Sequence, residues 1–278
     1  MTLPSHEEIS IAVAEVFDCV RRKCPANLLN ALVVVDTTMD LNHSNINYVV
    51  DYEMREICDF ANAFKKQLDE TTDRRQQARI KILIYCHIME ADLPLTVFWN
   101  LLRILDGAPP DWTFRRTTKA GKDEICEYPR QKIAELKRLS KQLNVKIGSV
   151  LDHLWQYDLR NRFSHSQYFW DSCDILTTTG ALSPLSREKL FPLSRKDPKE
   201  EEPTKKGNPS FSLAQIERLY QGAISLLHYF ICCYKITIAP FQDGKPHLLH
   251  TGAVVWNPQA EQWVYVYPNP QPGLCQKS

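Results

Sequence analysis

Asp158-Leu159-Arg160-Asn161-Arg162-Phe163-Ser164-His165-Ser166-Gln167-Tyr168 is the stretch on which the reading of this chain turns. It closes an amphipathic run in which Val150, Leu151, Leu154, Trp155 and Leu159 recur at helical spacing, so the pattern predicts one helix over 145–163. Arg160, Asn161 and His165 fall within six residues near its end. A regular helix turns about 100° per residue, which would set Arg160 and His165 roughly 140° apart. Both can face one ligand only where the helix ends or distorts near Phe163, which predicts His165 at or just beyond the last turn. Asn161 and His165 are four apart and meet on one face in either case.

Upstream of this stretch the pattern is helical almost throughout. Ser5-x-x-Glu8 fits a capping box, and Ile9, Val13, Val16, Phe17 and Val20 follow at helical spacing until Pro25. Further helices are predicted over 27–35, 47–68, 74–90 and from Pro94 to about Leu105, with polar connections at 36–44 and 71–73. In the helix over 74–90, the residues Ile80, Leu83, Ile84, His87 and Ile88 are expected to face inward. Residues 108–129 break the pattern, and the runs 112–116 and 124–128 around Gly121 predict a β-hairpin insert. A helix resumes over 129–143.

Downstream, 166–185 reads as extended or irregular, and 192–210, with its prolines and charged run, as a flexible solvated loop. Ser212-x-x-Gln215 is a second capping box, with Phe211 and Ile216 placed as a hydrophobic staple. The alternating, Val-, Trp- and Tyr-rich stretch 247–267 predicts a hairpin with Asn257-Pro258 at its turn. The expected organisation is therefore a mainly α domain over 1–240, followed by a C-terminal β-hairpin extension, 241–278, packed on the same domain.

Composition narrows the function classes. The chain has 278 residues with 34 Lys plus Arg against 33 Asp plus Glu, so nucleic-acid binding would need a local basic patch. Nine Cys occur, Cys19, Cys58, Cys86, Cys232 and Cys233 among them in apolar helical runs, and none show Cys-x-x-Cys spacing. That favours thiols as core residues in a reducing compartment over zinc ligands or disulfides. The first residues do not read as a signal peptide. The most apolar stretch, 224–238, is interrupted by His228 and Lys235, so no membrane span is expected and the expected location is cytoplasmic.

The residue types at 160–165 suit cleavage of an RNA phosphodiester. The 2′-OH already lies beside the scissile phosphorus, so the enzyme must chiefly move protons and stabilise added negative charge. His transfers protons near neutral pH, Arg presents a forked cation to phosphate oxygens, and Asn orients either group. No metal or cofactor is called for.

Arg-x4-His with a polar residue directly after the Arg, closing a helix and followed by an aromatic, resembles the signature of HEPN (higher eukaryotes and prokaryotes nucleotide-binding) domains. The run 80–88 followed by Glu90-Ala91-Asp92 is also similar to the early helices of such domains. The resemblance covers roughly 45–234, with only the six-residue motif specific. It implies a HEPN-like helical bundle that forms a homodimer, with the motifs of both protomers in one cleft. It implies a metal-independent endoribonuclease of the kind found in toxin–antitoxin, abortive-infection and CRISPR-associated systems. Arg160, Asn161 and His165 are then the catalytic set. Arg162 and Ser164, at variable motif positions, and Tyr168 are the substrate-binding candidates. The implied partners are RNA, a second copy, and an antitoxin or regulatory protein. The hairpin insert and the β-rich tail depart from a minimal HEPN domain.

Each residue has a structural alternative. Arg160 and His165 can cap a helix C-terminus, and Asn161 can serve in a turn. A rival function is accordingly a non-catalytic HEPN-like module that binds RNA or nucleotide or acts as a dimerisation scaffold, and a third reading is a helical protein unrelated to that family. Glu90 or Asp92 are candidate auxiliary acids, and His87 reads as a core residue. His247-x-x-His250 reads as solvent-facing on a strand. Arg195, Lys196, Lys205 and Lys206 read as loop charges, and Tyr168, Phe169 and Trp170 as either base-stacking or packing aromatics.

Overall fold

The computed structural model describes residues 3–32, 49–111, 113–117, 121–166, 168–170, 174–178, 210–249, 252–259 and 262–266. Within them the chain is mainly helical with small antiparallel sheets. Helix α1 (His6–Lys23) starts on the expected box. Ser5 Oγ accepts from the Glu8 N–H at 3.2 Å, and Glu8 Oε2 accepts from the Ser5 N–H at 2.7 Å. Its apolar stripe from Ile9 to Val20 is buried. After a 3-10 turn at Pro25–Asn27 comes α2 (Leu28–Leu32). Residues 33–35 of the expected second helix, and the connection 36–44, lie outside the described residues.

Helices α3 (Val49–Glu70), α4 (Arg74–Glu90) and α5 (Asp92–Leu105) follow, with the polar break at 71–73 and Pro94 in the first turn of α5. Leu83, expected inward, is 38% exposed. The buried arc of α4 runs instead through Ile80, Ile82, Ile84, Tyr85, Ile88 and Met89, because two helices, α3 and the one at 213–238, pack on it from different sides. The insert is a short hairpin, β1 (Arg115–Thr117) against β2 (Asp123–Ile125), with Gly121 at φ 75° in the connection.

Helix α6 (Pro129–Leu143) has the predicted bounds. The segment expected as one helix over 145–163 is two, α7 (Ile147–Leu154) and α8 (Tyr157–Ser164). Strand β4 (Ile175–Thr178) then pairs with β3 (Tyr168–Trp170) on one side and β5 (Ser210–Ser212) on the other, in the register Phe169 to Thr177 and Leu176 to Phe211. The loop expected at 192–210 lies outside the described residues up to 209. Helix α9 (Leu213–Ile238) carries the second capping box, with Phe211 and Ile216 both buried. The C-terminal extension is a three-stranded meander, β6 (His247–Leu249), β7 (Gly252–Asn257) and β8 (Gln262–Val266), so it has one strand more than the expected hairpin. Residues 267–278 lie outside the described residues.

The core forms where α1, α5 and α9 meet. Phe17, Phe98 and Phe230 pack with ring centroids 5.3–6.3 Å apart. Helices α6 and α7 approach to backbone contact at Gly148. A Cβ there would sit 2.6 Å from the Leu136 carbonyl oxygen, and the Gly148 N–H donates to Ser140 Oγ at 3.1 Å. Two stretches, Arg74–Leu105 and Leu213–Phe241, do reach the length and hydropathy of a membrane span, which the interrupting His228 and Lys235 had argued against. Their apolar windows are 72% and 50% buried inside the fold. The seven described cysteines are free thiols, with Cys86 and Cys126 buried.

Candidate active site at the end of a short helix

The site is built on α8, and one side chain bridges the junction that separates α8 from α7. Tyr85, buried in α4, donates its hydroxyl proton to the Leu154 carbonyl and accepts the Gln156 N–H, both at 2.8 Å. The phenol thus satisfies one group at the end of α7 and one at the start of α8, while Trp155 turns extended and Gln156 leaves the helical region between them. The break re-aims the next two turns. Leu159 alone in α8 is buried and anchors it to the core.

Arg160 projects toward the end of α4. Its Nε and Nη2 donate to the two carboxylate oxygens of Glu90, the second at 2.7 Å. Both side chains are roughly seven-tenths covered, and the hydrogen bond to Glu90 holds the guanidinium above its ordinary pKa. Among the described residues nothing accepts from Nη1, so one edge of the guanidinium is available to an anion. Glu90 is therefore the acid that reaches the motif. Asp92, the other candidate, pairs with the buried Lys132 at 2.6 Å. Beneath the pair, burial pushes the Cys86 thiol up to about 12, with the Glu90 charge adding to it.

Helix α8 ends at Ser164, and His165 is its C-cap with non-helical backbone (φ −96°, ψ 10°). The His165 N–H still donates to the Asn161 carbonyl at 3.2 Å, and Ser166 then turns left-handed at φ 54°. His165 and Ser164 are exposed, while Asn161 and Arg162 are half-buried. The chain reverses into β3, where the Tyr168 ring stacks on Phe163 with centroids 5.1 Å apart. Phe169 is 51% exposed, and Trp170 is half-buried with an indole N–H that finds no acceptor.

The remaining candidates fall elsewhere. The His87 ring stacks on Phe60 at 3.9 Å, and its Nε2 is buried without a partner. Burial lowers its pKa, with Glu90 and Glu56 opposing. His87 is thus a packed histidine that lacks the expected hydrogen bond at one nitrogen. His247 Nε2 pairs with Asp243 at 2.8 Å. His250, Arg195, Lys196, Lys205 and Lys206 lie outside the described residues. No group of three or more His, Cys, Asp or Glu side chains positioned to hold a metal ion occurs among the described residues.

Two features were not read from the sequence. One is Tyr85 as the bridge across the junction of α7 and α8, which no local pattern signals. The other is Arg130, whose guanidinium lies over the Tyr157 ring at 4.8 Å. No family model, curated protein or solved structure matches this chain.

Proposed function

We propose that this chain is a HEPN-type endoribonuclease whose site lies at the C-terminal end of α8. The observation that carries the reading is the helix end itself. α8 ends in an exposed imidazole, His165 at its C-cap, on the same short helix as a guanidinium oriented by Glu90.

In this reading His165 moves the proton of the attacking 2′-OH or of the leaving 5′-oxygen. Arg160 presents its open edge to the scissile phosphate and to the charge that grows in the transition state, and it is pre-aimed by Glu90, so that little reorganisation is needed. Asn161, one helical turn before His165, positions the imidazole or the phosphate. Arg162, Ser164 and Tyr168 flank the strand as substrate contacts. Attack of the 2′-oxygen on phosphorus breaks the P–O5′ bond, giving a 2′,3′-cyclic phosphate and a 5′-hydroxyl. A second copy completes the cleft by two-fold symmetry. A cytoplasmic setting, a defence or toxin–antitoxin role and a regulatory partner belong to the same proposal.

The Arg160–Glu90 pair favours a second reading. Two N–H groups of Arg160 are spent on tying α8 to α4, which is also what a non-catalytic binding module or dimerisation scaffold would need. Digestion of end-labelled total RNA and tRNA in EDTA, with analysis of the product ends, separates the two. Cyclic phosphate and 5′-hydroxyl ends are expected. No products from a folded dimeric protein favour the module, and products with 3′-hydroxyl and 5′-phosphate ends overturn attack by the 2′-oxygen.

A further inference from the structure

Tyr157 opens α8 with its ring 42% exposed, and the Arg130 guanidinium from the first turn of α6 lies over that ring at 4.8 Å. Tyr157 stands three and four residues before Arg160 and Asn161, so the three side chains share one face of the helix. Tyr128, which precedes Arg130 by two residues, is 64% exposed. A buried core does not need this arrangement, since Leu159 already anchors α8 and Arg130 is itself exposed. Among the described residues Arg130 has no carboxylate partner, so its cation meets a π-face and solvent.

Stacked aromatic and guanidinium planes beside a phosphate-binding cation are what a single-stranded nucleic acid recognises. Bases stack on Tyr rings and Arg planes, while the backbone follows the positive charge. A duplex cannot use such a surface, because its bases already stack on one another. We propose that Tyr157 and Arg130 form a base-stacking subsite that holds a nucleotide next to the scissile phosphate, making unpaired RNA the substrate class. This rests on the reading of α8 as an RNA site. In it, a base lies against the exposed ring while its phosphate reaches Arg160, three residues (about 4.5 Å along the axis) away. Tyr168, Phe169 and Trp170, read from the sequence as either stacking or packing aromatics, lie beyond the other end of α8.

The test is binding of a short fluorescein-labelled single-stranded RNA with 2′-O-methyl riboses, which cannot be cleaved, and of the same strand annealed to its complement. The full chain is used, and folding of each variant is checked by circular dichroism. The single strand is expected to bind more tightly than the duplex. Tyr157→Leu, which keeps apolar bulk but loses the π-face, is expected to weaken single-strand binding about tenfold. Tyr157→Trp is expected to restore it, and Arg130→Ala to weaken it less than Tyr157→Leu. Equal binding of strand and duplex, or wild-type binding by Tyr157→Leu, overturns the subsite and leaves Tyr157–Arg130 as a staple between α6 and α8. Cleavage of unmodified RNA is scored separately. Cleavage that is indifferent to Tyr157 keeps the nuclease and removes the subsite. Tyr157-dependent binding without cleavage keeps the subsite and removes the nuclease.

Discussion

Five of the eight residues of α7 are buried, against one of the eight in α8. The two helices come from one stretch of sequence, and their difference shows how a fold presents a site. α7 is locked by backbone contact with α6 at Gly148 and by apolar packing through Val150, Leu151 and Leu154. α8 hangs from Leu159, from the Tyr85 hydroxyl at its start and from the Glu90 carboxylate at Arg160. Packing that cannot rotate holds the first. A few directed polar contacts hold the second, and they leave most of its surface for a ligand.

That contrast can be broken in order of effect. Gly148→Ala places a methyl group against the α6 backbone, which cannot move as a side-chain tip can, so a loss of about 3 kcal/mol is expected in urea unfolding. A loss below about 0.5 kcal/mol would mean that α6 and α7 are not in rigid contact, since surface-like substitutions fall in that range. Tyr85→Phe removes the hydroxyl that serves the Leu154 carbonyl and the Gln156 N–H. About 2 kcal/mol is expected to be lost, and amide exchange should quicken in α8 more than in α7. Equal quickening in both would make the break a property of the local sequence.

Glu90→Gln sharpens the comparison, since it touches α8 alone. The pair is partly open to solvent, so the stability loss is expected to be about 1 kcal/mol. RNA cleavage is expected to fall further than stability does, through a lower kcat, because Arg160 loses its aim. Unchanged cleavage would make the pair a simple tie.

The smallest effect concerns pH. Burial holds the His87 pKa below its ordinary value of 6.5. The folded state therefore binds this proton less readily than the unfolded chain does. The contribution of neutral His87 is complete above about pH 6.5 and is lost as pH falls below that value. Thermal melts of His87→Phe across this window should be less pH-dependent than those of the wild type. A parallel slope would place the titration elsewhere.

Much of this was legible in the sequence because it is local. Ser5 and Ser212 with their partners three residues on mark helix starts, Pro94 and Gly121 mark a first turn and a reversal, and His165 was expected at its helix end, where it stands as the C-cap. What could not be read depends on distant residues. Tyr85 bridges a helix junction 71 positions away, and β5 returns to pair with β4 across the whole of 179–209. Leu83 was misplaced because the buried arc of α4 depends on which two helices cover it. Glu90 stood among the candidate acids, but its choice over Asp92 follows from Lys132, which holds Asp92 by an ion pair on another helix.

The most direct measurement is cleavage of end-labelled tRNA in EDTA by the wild type, Arg160→Ala and His165→Ala, with each variant shown to be folded and of wild-type oligomeric state. Cleavage by the wild type and its loss by at least about a hundredfold in both variants is the expected result. Cleavage that survives both substitutions would contradict a site at the end of α8.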